Sequence, residues 1–327
     1  MQRGKTKDLN LVSNPTEMKI ILKEGKMALG EYEKRVMVAG VNFSGVWGDK
    51  VSNLEKMKAQ IRQAAQIGVN IIVFPELSLS GYECGEEARA ENKPCSMHVK
   101  LAETIPGPST EEIAKLTKEL GVYVIFGMPE KDVINPDIRY ISAPVIGPQG
   151  LIGTYRKLHL APTPIFTEPI CFKAGPPELP LFETRYGLIG VQICYDFWLV
   201  PELTRLLYLQ GARIVFNLAG SAAGPGKAEF MVQQTGCRAT ESLIYTVSCN
   251  HVGKDRTLSY YGHATIAGPL FPRLNKIFAE GGEREEIVSA TLDLGALDLW
   301  QGYMKIKEVG RWKFISEQYK IIAEGKG

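Results

Sequence analysis

The sequence contains no apolar run long enough to cross a membrane. A spanning helix needs about 20 consecutive apolar residues, and this chain of 327 residues, 45% of them hydrophobic, has no such run. The opening stretch, MQRGKTKDLNLVSNPTEM, also lacks the apolar segment of a secretory signal. We therefore expect a cytoplasmic protein without a membrane partner.

An excess of charge of one sign is also missing. The chain has 38 Lys and Arg against 36 Asp and Glu, a formal net charge of +2. Proteins that bind nucleic acids usually carry a concentrated positive patch. We therefore expect no nucleic-acid partner.

Histidine is scarce, and the cysteines form no paired motif. There are four histidines, and none of the six cysteines belongs to a C-x-x-C pair. We expect reduced thiols and neither a zinc site nor a disulfide framework. The cysteines are Cys84, Cys95, Cys171, Cys194, Cys237 and Cys249.

From residue 35 onward, short Val/Ile/Phe-rich runs alternate with segments of helical period. The sequence predicts a helix over Asn53–Asn70, a buried strand over Ile71–Glu76, and a helix that Ser109 opens as N-cap. Strands that alternate with helices predict a layered α/β fold with helices on the outer faces.

The two ends of the chain differ from this pattern. Residues 1–34 are polar and weakly patterned, and they predict an N-terminal arm with one amphipathic helix. Residues 35–300 carry the alternating pattern and form the predicted main domain. Residues 301–327 form a C-terminal tail that we expect at a subunit interface.

Three chemically distinct side chains stand at the ends or edges of predicted strands. Glu76 follows the run IIVFP, and Cys194 closes GLIGVQIC. In GTYRKLHLAP, alternation predicts an extended segment with Lys157 and His159 on one face. Alone, each has an ordinary explanation, since cysteine is commonly buried and charged residues commonly face solvent. Together they predict a ligand site, because ligands gather outside strand ends in α/β proteins.

These side chains suffice for nucleophilic catalysis at a carbonyl carbon. A free thiol is mostly protonated at neutral pH, so Cys194 needs a base, and Glu76 can take its proton. Lys157 can stabilise the oxyanion together with the main-chain N–H of Tyr195. Once the amine has left, water activated by Glu76 can hydrolyse the thioester.

The motifs FPELSLSGY, YRKLHL and GVQICYDFWLVPE resemble those of the nitrilase superfamily of carbon–nitrogen hydrolases. The resemblance covers roughly residues 35–299. It implies a Glu76-Lys157-Cys194 triad, a four-layer α-β-β-α sandwich, and a homodimer or higher homo-oligomer. It implies no metal and no organic cofactor.

The resemblance also suggests residues around the triad. Glu168, in FTEPICFKAG, matches an auxiliary glutamate that bonds the lysine and helps to orient substrate. Phe197 and Trp198 stand where some carbamoylases carry arginines, so we expect them in the substrate pocket. Asn217, in FNLAGSA, is an expected substrate contact.

The expected activity is thiol-dependent hydrolysis of a small amide or N-carbamoyl amine with release of ammonia. The sequence CYD, rather than the C-W-E of true nitrilases, favours amides. The aromatic pair favours uncharged or aromatic substrates over free carboxylates. The alternatives are a nitrilase, a non-catalytic interaction protein, and a Cys-His mechanism that uses His159 or His251.

Overall fold

The computed structural model describes residues 32–162 and 166–325. Most of these residues lie in strands and helices that alternate along the chain. The strands are β1 (Arg35–Asn42), β2 (Ile71–Val73), β3 (Tyr123–Ile125), β4 (Met128–Lys131), β5 (Arg139–Gly147), β6 (Gly150–Arg156), β7 (Leu181–Thr184), β8 (Gly187–Ile193), β9 (Ile214–Leu218), β10 (Tyr245–Cys249), β11 (Val252–Lys254), β12 (Ser259–Tyr261), β13 (Thr265–Leu270), β14 (Arg273–Glu280) and β15 (Glu286–Asp293). The helices are α1 (Lys50–Gln66), α2 (Glu86–Ala90), α3 (Ser96–Leu101), α4 (Pro108–Leu120), α5 (Glu168–Cys171), α6 (Tyr195–Leu199), α7 (Pro201–Gln210), α8 (Lys227–Ser242), α9 (Leu294–Met304), α10 (Ile306–Val309) and α11 (Trp312–Ala323).

Two mixed sheets lie at the centre of the fold. The first has the order β15-β1-β2-β3-β5-β4, with β6 also paired to β5, and the second has the order β14-β13-β10-β9-β8-β7. Apolar side chains from both sheets share one core, which includes Val38 and Val73 of the first and Val191 and Val247 of the second. The two sheets therefore pack face to face.

Helices cover the outer face of each sheet. Met57 and Ile61 of α1 and Ile113 of α4 pack with the first sheet in a second apolar cluster. Helices α7 and α8 cover the second sheet, where Leu207 packs closely on Gly190. The predicted four-layer α-β-β-α sandwich is confirmed.

Local sequence signals account for where these helices begin. Asp49 caps α1, because its side chain accepts a hydrogen bond from the Ser52 N–H. Helix α4 begins at Pro108 rather than after Ser109, so the predicted N-cap is wrong. Proline is favoured in the first helical turn, and Ser109 instead donates its hydroxyl to Glu103.

The predicted end segments are described only in part. The amphipathic helix expected near the N-terminus lies outside the described residues. Residues 301–325 complete α9 and form α10 and α11, and their place at a subunit interface stays a prediction. Among the described residues, no helix is both long enough and apolar enough to span a membrane.

Candidate active site

The three predicted catalytic side chains lie at the ends of strands. Glu76 lies three residues beyond β2, Lys157 follows β6 directly, and Cys194 follows β8 directly. All three are almost fully buried, with 0%, 1% and 8% of their surfaces exposed. Strands from both sheets therefore deliver them to one place in the interior.

Lys157 is the centre of the cluster. Its Nζ donates to Glu76 Oε1 at 2.7 Å and to Glu168 Oε1 and Oε2 at 2.8 and 2.7 Å. The charges of Glu76 and Lys157 both act on the pKa of the Cys194 thiol, which lies beside them. The structure thus brings the predicted triad and the predicted auxiliary glutamate together in one buried cluster.

Burial and neighbouring charges set the protonation of the cluster. Burial raises the pKa of Glu76 to about 7, helped by the negative charge of Glu168 and opposed by Lys157. Burial alone would lower the pKa of Lys157, but the two carboxylates outweigh it and raise that pKa above its usual value. Burial and the charge of Glu76 raise the pKa of the Cys194 thiol. The resting site therefore holds an ammonium and a protonated thiol beside a carboxyl that titrates near neutrality.

Cys194 occupies a sharp turn between strand and helix. Its φ of 51° lies in the left-handed region that most residues avoid, and α6 begins at the next residue, Tyr195. Asn217 on β9 accepts a hydrogen bond from the Cys194 N–H at 3.1 Å and donates to Ser248. The amide of Asn217 thus supports the nucleophile's backbone, and its side chain, at 0% exposure, is not open to substrate.

The turn that carries Glu76 is held from several sides. A Cβ on Gly127 would lie 2.3 Å from the Leu77 nitrogen, so only glycine fits against this turn. The Gly220 N–H donates to Glu76 Oε2 at 3.0 Å. His251 donates from Nε2 to the main-chain oxygen of Glu76 at 2.6 Å. The position of this carboxylate is therefore strongly constrained.

Asp196 supports the lysine segment, a role that the sequence analysis missed. It is fully buried and accepts hydrogen bonds from the Tyr155 hydroxyl and from the main-chain N–H and ring of His159. Strand β6 ends at Arg156, so the expected extended segment with Lys157 and His159 on one face is wrong. Lys157 turns to the carboxylates, whereas the ring of His159 pairs with Asp196. The only sequence feature that pointed to this supporting role was the aspartate of the CYD motif, which is Asp196.

The contacts of the two histidines do not favour a Cys-His mechanism. His159 pairs with Asp196, and its side chain is 44% exposed. His251 is buried and holds the main chain of Glu76. Both rings therefore have structural partners other than the thiol.

A cavity of about 570 Å³ adjoins the cluster. Tyr82 lines this cavity and donates its hydroxyl to Glu168 Oε1. The sequence analysis did not predict this role, although Tyr82 ends the motif FPELSLSGY. The lining residues are Leu77, Tyr82, Glu83, Cys84, Gly85, Glu86, Arg89, Ala90, Phe166, Thr167, Glu168, Phe172, Thr257 and Leu258.

The predicted pocket residues Phe197 and Trp198 do not line this cavity. Their rings pack against one another, and the ring of Trp198 also packs against Phe230. Their main-chain oxygens accept from Arg238.

Beside this cavity the structure gathers cysteines to which the sequence analysis assigned no role. The ligand atoms of Cys84, Cys95 and His98 lie within 4.8 Å of one another, and Cys171 Sγ lies 2.8 Å from Cys84 Sγ. Cys95-Ser96-Met97-His98 is a C-x-x-H pair, so a histidine does stand at ligand spacing from a cysteine, which the sequence analysis did not recognise. The structure therefore contains a candidate ligand set that the sequence analysis did not recognise, and the expected absence of a zinc site stays a prediction.

Comparisons with known proteins agree with the fold and the motifs. The sequence profile of the carbon-nitrogen hydrolase family matches residues 23–301. A probable nitrilase of Schizosaccharomyces pombe is 36% identical over 250 residues, 75% of this chain and 84% of that protein. The N-carbamoylputrescine amidase of Solanum lycopersicum is 29% identical over 275 residues, 80% of this chain and 86% of that protein.

A solved structure extends the agreement to three dimensions. Nit3 of Saccharomyces cerevisiae, a member of branch 10 of the nitrilase superfamily, superposes with a TM-score of 0.73 at 25% identity, over 87% of this chain and all of the other. The match in sequence and the match in structure each cover most of the chain. The chain therefore belongs to the carbon-nitrogen hydrolase family and is an enzyme of that class.

Proposed function

We propose that this enzyme hydrolyses the C–N bond of a small primary amide or N-carbamoyl amine through a thioester on Cys194. The observation that carries the proposal is the buried contact of Lys157 with Glu76 and Glu168 beside the thiol. The cluster contains a nucleophile, a base with a pKa near neutrality, and a fixed cation. These are the groups that acyl transfer needs.

Attack on the amide begins with proton transfer from the thiol to Glu76. As Sγ of Cys194 bonds to the carbonyl carbon, the carbonyl oxygen becomes an oxyanion. Two of the three contacts of Lys157 go to the same carboxylate, that of Glu168. One N–H can therefore turn to the oxyanion while each carboxylate keeps a bond, with the Tyr195 N–H as the second donor.

The tetrahedral intermediate then collapses. Glu76 returns its proton to the leaving nitrogen, the C–N bond breaks, and ammonia departs. A water molecule gives a proton to Glu76 and attacks the thioester carbon. The acid is released as the thiolate of Cys194 takes back this proton, which regenerates the resting site.

The cavity supports a preference for uncharged or aromatic substrates. Tyr82, Phe166 and Phe172 supply aromatic surface. The lining carries three carboxylates and one guanidinium, so a substrate with a free carboxylate would meet more repulsion than attraction. The sequence CYD after β8 supports amides over nitriles. Related proteins are named either as nitrilases or as amidases, so the test includes nitriles.

The test is ammonia release from matched primary amides, N-carbamoyl amines and nitriles, each with an aromatic, an aliphatic or an anionic group. We expect amides or carbamoyl compounds to exceed the matching nitriles, and aromatic or aliphatic members to exceed anionic ones. Cys194→Ala serves as the control and should release no ammonia above background. Fastest turnover of a nitrile would contradict the reaction proposed, and a clear preference for N-carbamoyl amino acids would contradict the substrate class.

A further inference from the structure

Three cysteines and one histidine meet where the chain from Tyr82 to His98 contacts helix α5. Cys84 Sγ lies 3.7 Å from His98 Nδ1 and 2.8 Å from Cys171 Sγ. Cys95, His98 and Cys171 are at most 3% exposed, and Cys84 is partly exposed. The mechanism above uses none of the four.

We propose that Cys84, Cys95, His98 and Cys171 bind a structural Zn²⁺ ion. Three thiolates and an imidazole form one of the ligand sets that zinc prefers in closed tetrahedral sites. Bonds of about 2.3 Å to sulfur and about 2.0 Å to nitrogen place a sulfur and a nitrogen ligand about 3.5 Å apart. The observed 3.7 Å between Cys84 and His98 is close to that spacing.

The pair formed by Cys84 and Cys171 needs a small adjustment. Two sulfurs on one tetrahedral zinc lie about 3.8 Å apart, so their 2.8 Å separation must open by about 1 Å. Cys84 belongs to a loop and is the most exposed of the four. Rotation of its side chain can therefore supply the movement.

Hydrogen bonds around the cluster prepare the ligands for a metal. The Nε2 of His98 lies 3.2 Å from the main-chain oxygen of Gly81, which can only accept. The ring proton is therefore on Nε2, and Nδ1, which faces Cys84, is free to bind a cation. The Gly85 N–H donates to Cys95 Sγ at 3.1 Å, and the Cys95 N–H lies 3.4 Å from Cys171 Sγ. Main-chain donors of this kind stabilise thiolates.

The proposed zinc site would hold one side of the active site. Cys84 lies two residues after Tyr82, and Cys171 lies three residues after Glu168. The hydroxyl of Tyr82 donates to Glu168, which in turn binds Lys157. A metal shared by Cys84 and Cys171 would therefore tie together the two segments whose side chains meet at this glutamate.

The first test is the metal content of the full-length protein, expressed with added zinc, purified without chelators and dialysed. We expect about one zinc per chain in the wild type. Cys95→Ser and His98→Ala should each retain about tenfold less. Cys237→Ser, which removes the exposed cysteine on α8, is the matched control and should retain the wild-type content. A folded wild type without zinc, or full zinc in both ligand variants, would overturn the proposal.

A second measurement keeps the test decisive if a ligand variant fails to fold. Wild-type protein reconstituted with Co²⁺ should show the intense visible absorption of a tetrahedral thiolate site, and Zn²⁺ should abolish it. Mass spectrometry of protein that is alkylated without prior reduction shows whether the cysteines are free or joined in a disulfide. A disulfide between Cys84 and Cys171, or no cobalt spectrum in folded protein, would refute the site.

Discussion

The pH dependence of the reaction provides the sharpest test of the proposed base. Burial and the charge of Glu168 raise the pKa of Glu76 to about 7, and only its deprotonated form can accept the thiol proton. The value of kcat/KM on the best amide should therefore rise with pH and level off above about pH 8. The deprotonated fraction predicts about a tenth of the plateau at pH 6 and about a hundredth at pH 5.

A variant separates this base from other titrating groups. Glu168→Gln removes a negative charge that raises the pKa of Glu76, so the acid limb should move to lower pH even if the plateau falls. Glu112→Gln is the control, because this exposed carboxylate pairs with Lys115 on α4. Initial rates of ammonia release from pH 4 to 9 locate the acid limb of the wild type and of each variant. A wild-type limb centred near 4.5, the ordinary value of a glutamate, or a limb that Glu168→Gln leaves in place would refute the reasoning.

Four further predictions follow from the site and the chain ends. Cys194→Ala should abolish ammonia release and leave the circular dichroism spectrum unchanged, and near-normal turnover would exclude the thioester. Lys157→Ala should lower kcat about a hundredfold or more, because an oxyanion donor is lost; a full-rate variant would require another donor. Gly127→Ala should lower kcat, since the new methyl group meets the turn of Glu76, whereas an unchanged rate would show that this turn has room to shift. Removal of residues 1–34 should leave a folded, active protein by light scattering and assay, and its failure to fold would contradict their assignment as an arm.

The motifs allowed the proposed catalytic groups to be identified because each motif is local. A strand end that carries an acid, a lysine or a thiol is visible in about ten residues of sequence, and three such segments identified Glu76, Lys157 and Cys194. The two-sheet architecture followed from the resemblance, whereas helix starts depended on caps such as Asp49 and on the proline that displaced Ser109.

The contacts that support these groups could not be predicted in the same way. Asn217 was expected at the substrate, but its register beside Gln192 on β8 places its amide against the backbone of Cys194. Phe197 and Trp198 were expected in the pocket, but their short helix α6 turns both rings into the core. Register between strands and the direction of a one-turn helix depend on tertiary packing. A linear sequence does not contain that information in any one segment.

The side chains around Lys157 are held in place in two different ways. This difference affects how the substrate specificity of the enzyme could change. Glu76 follows a strand of one sheet and Cys194 a strand of the other, so neither can move without repacking the central core. Glu168 instead begins a four-residue helix outside both sheets, where the Tyr82 hydroxyl donates to it and Cys171, three residues further on, contacts Cys84. The same helix and loop form much of the cavity wall. Changes in this wall can therefore alter which substrates enter while the geometry of the proposed nucleophile and base is preserved.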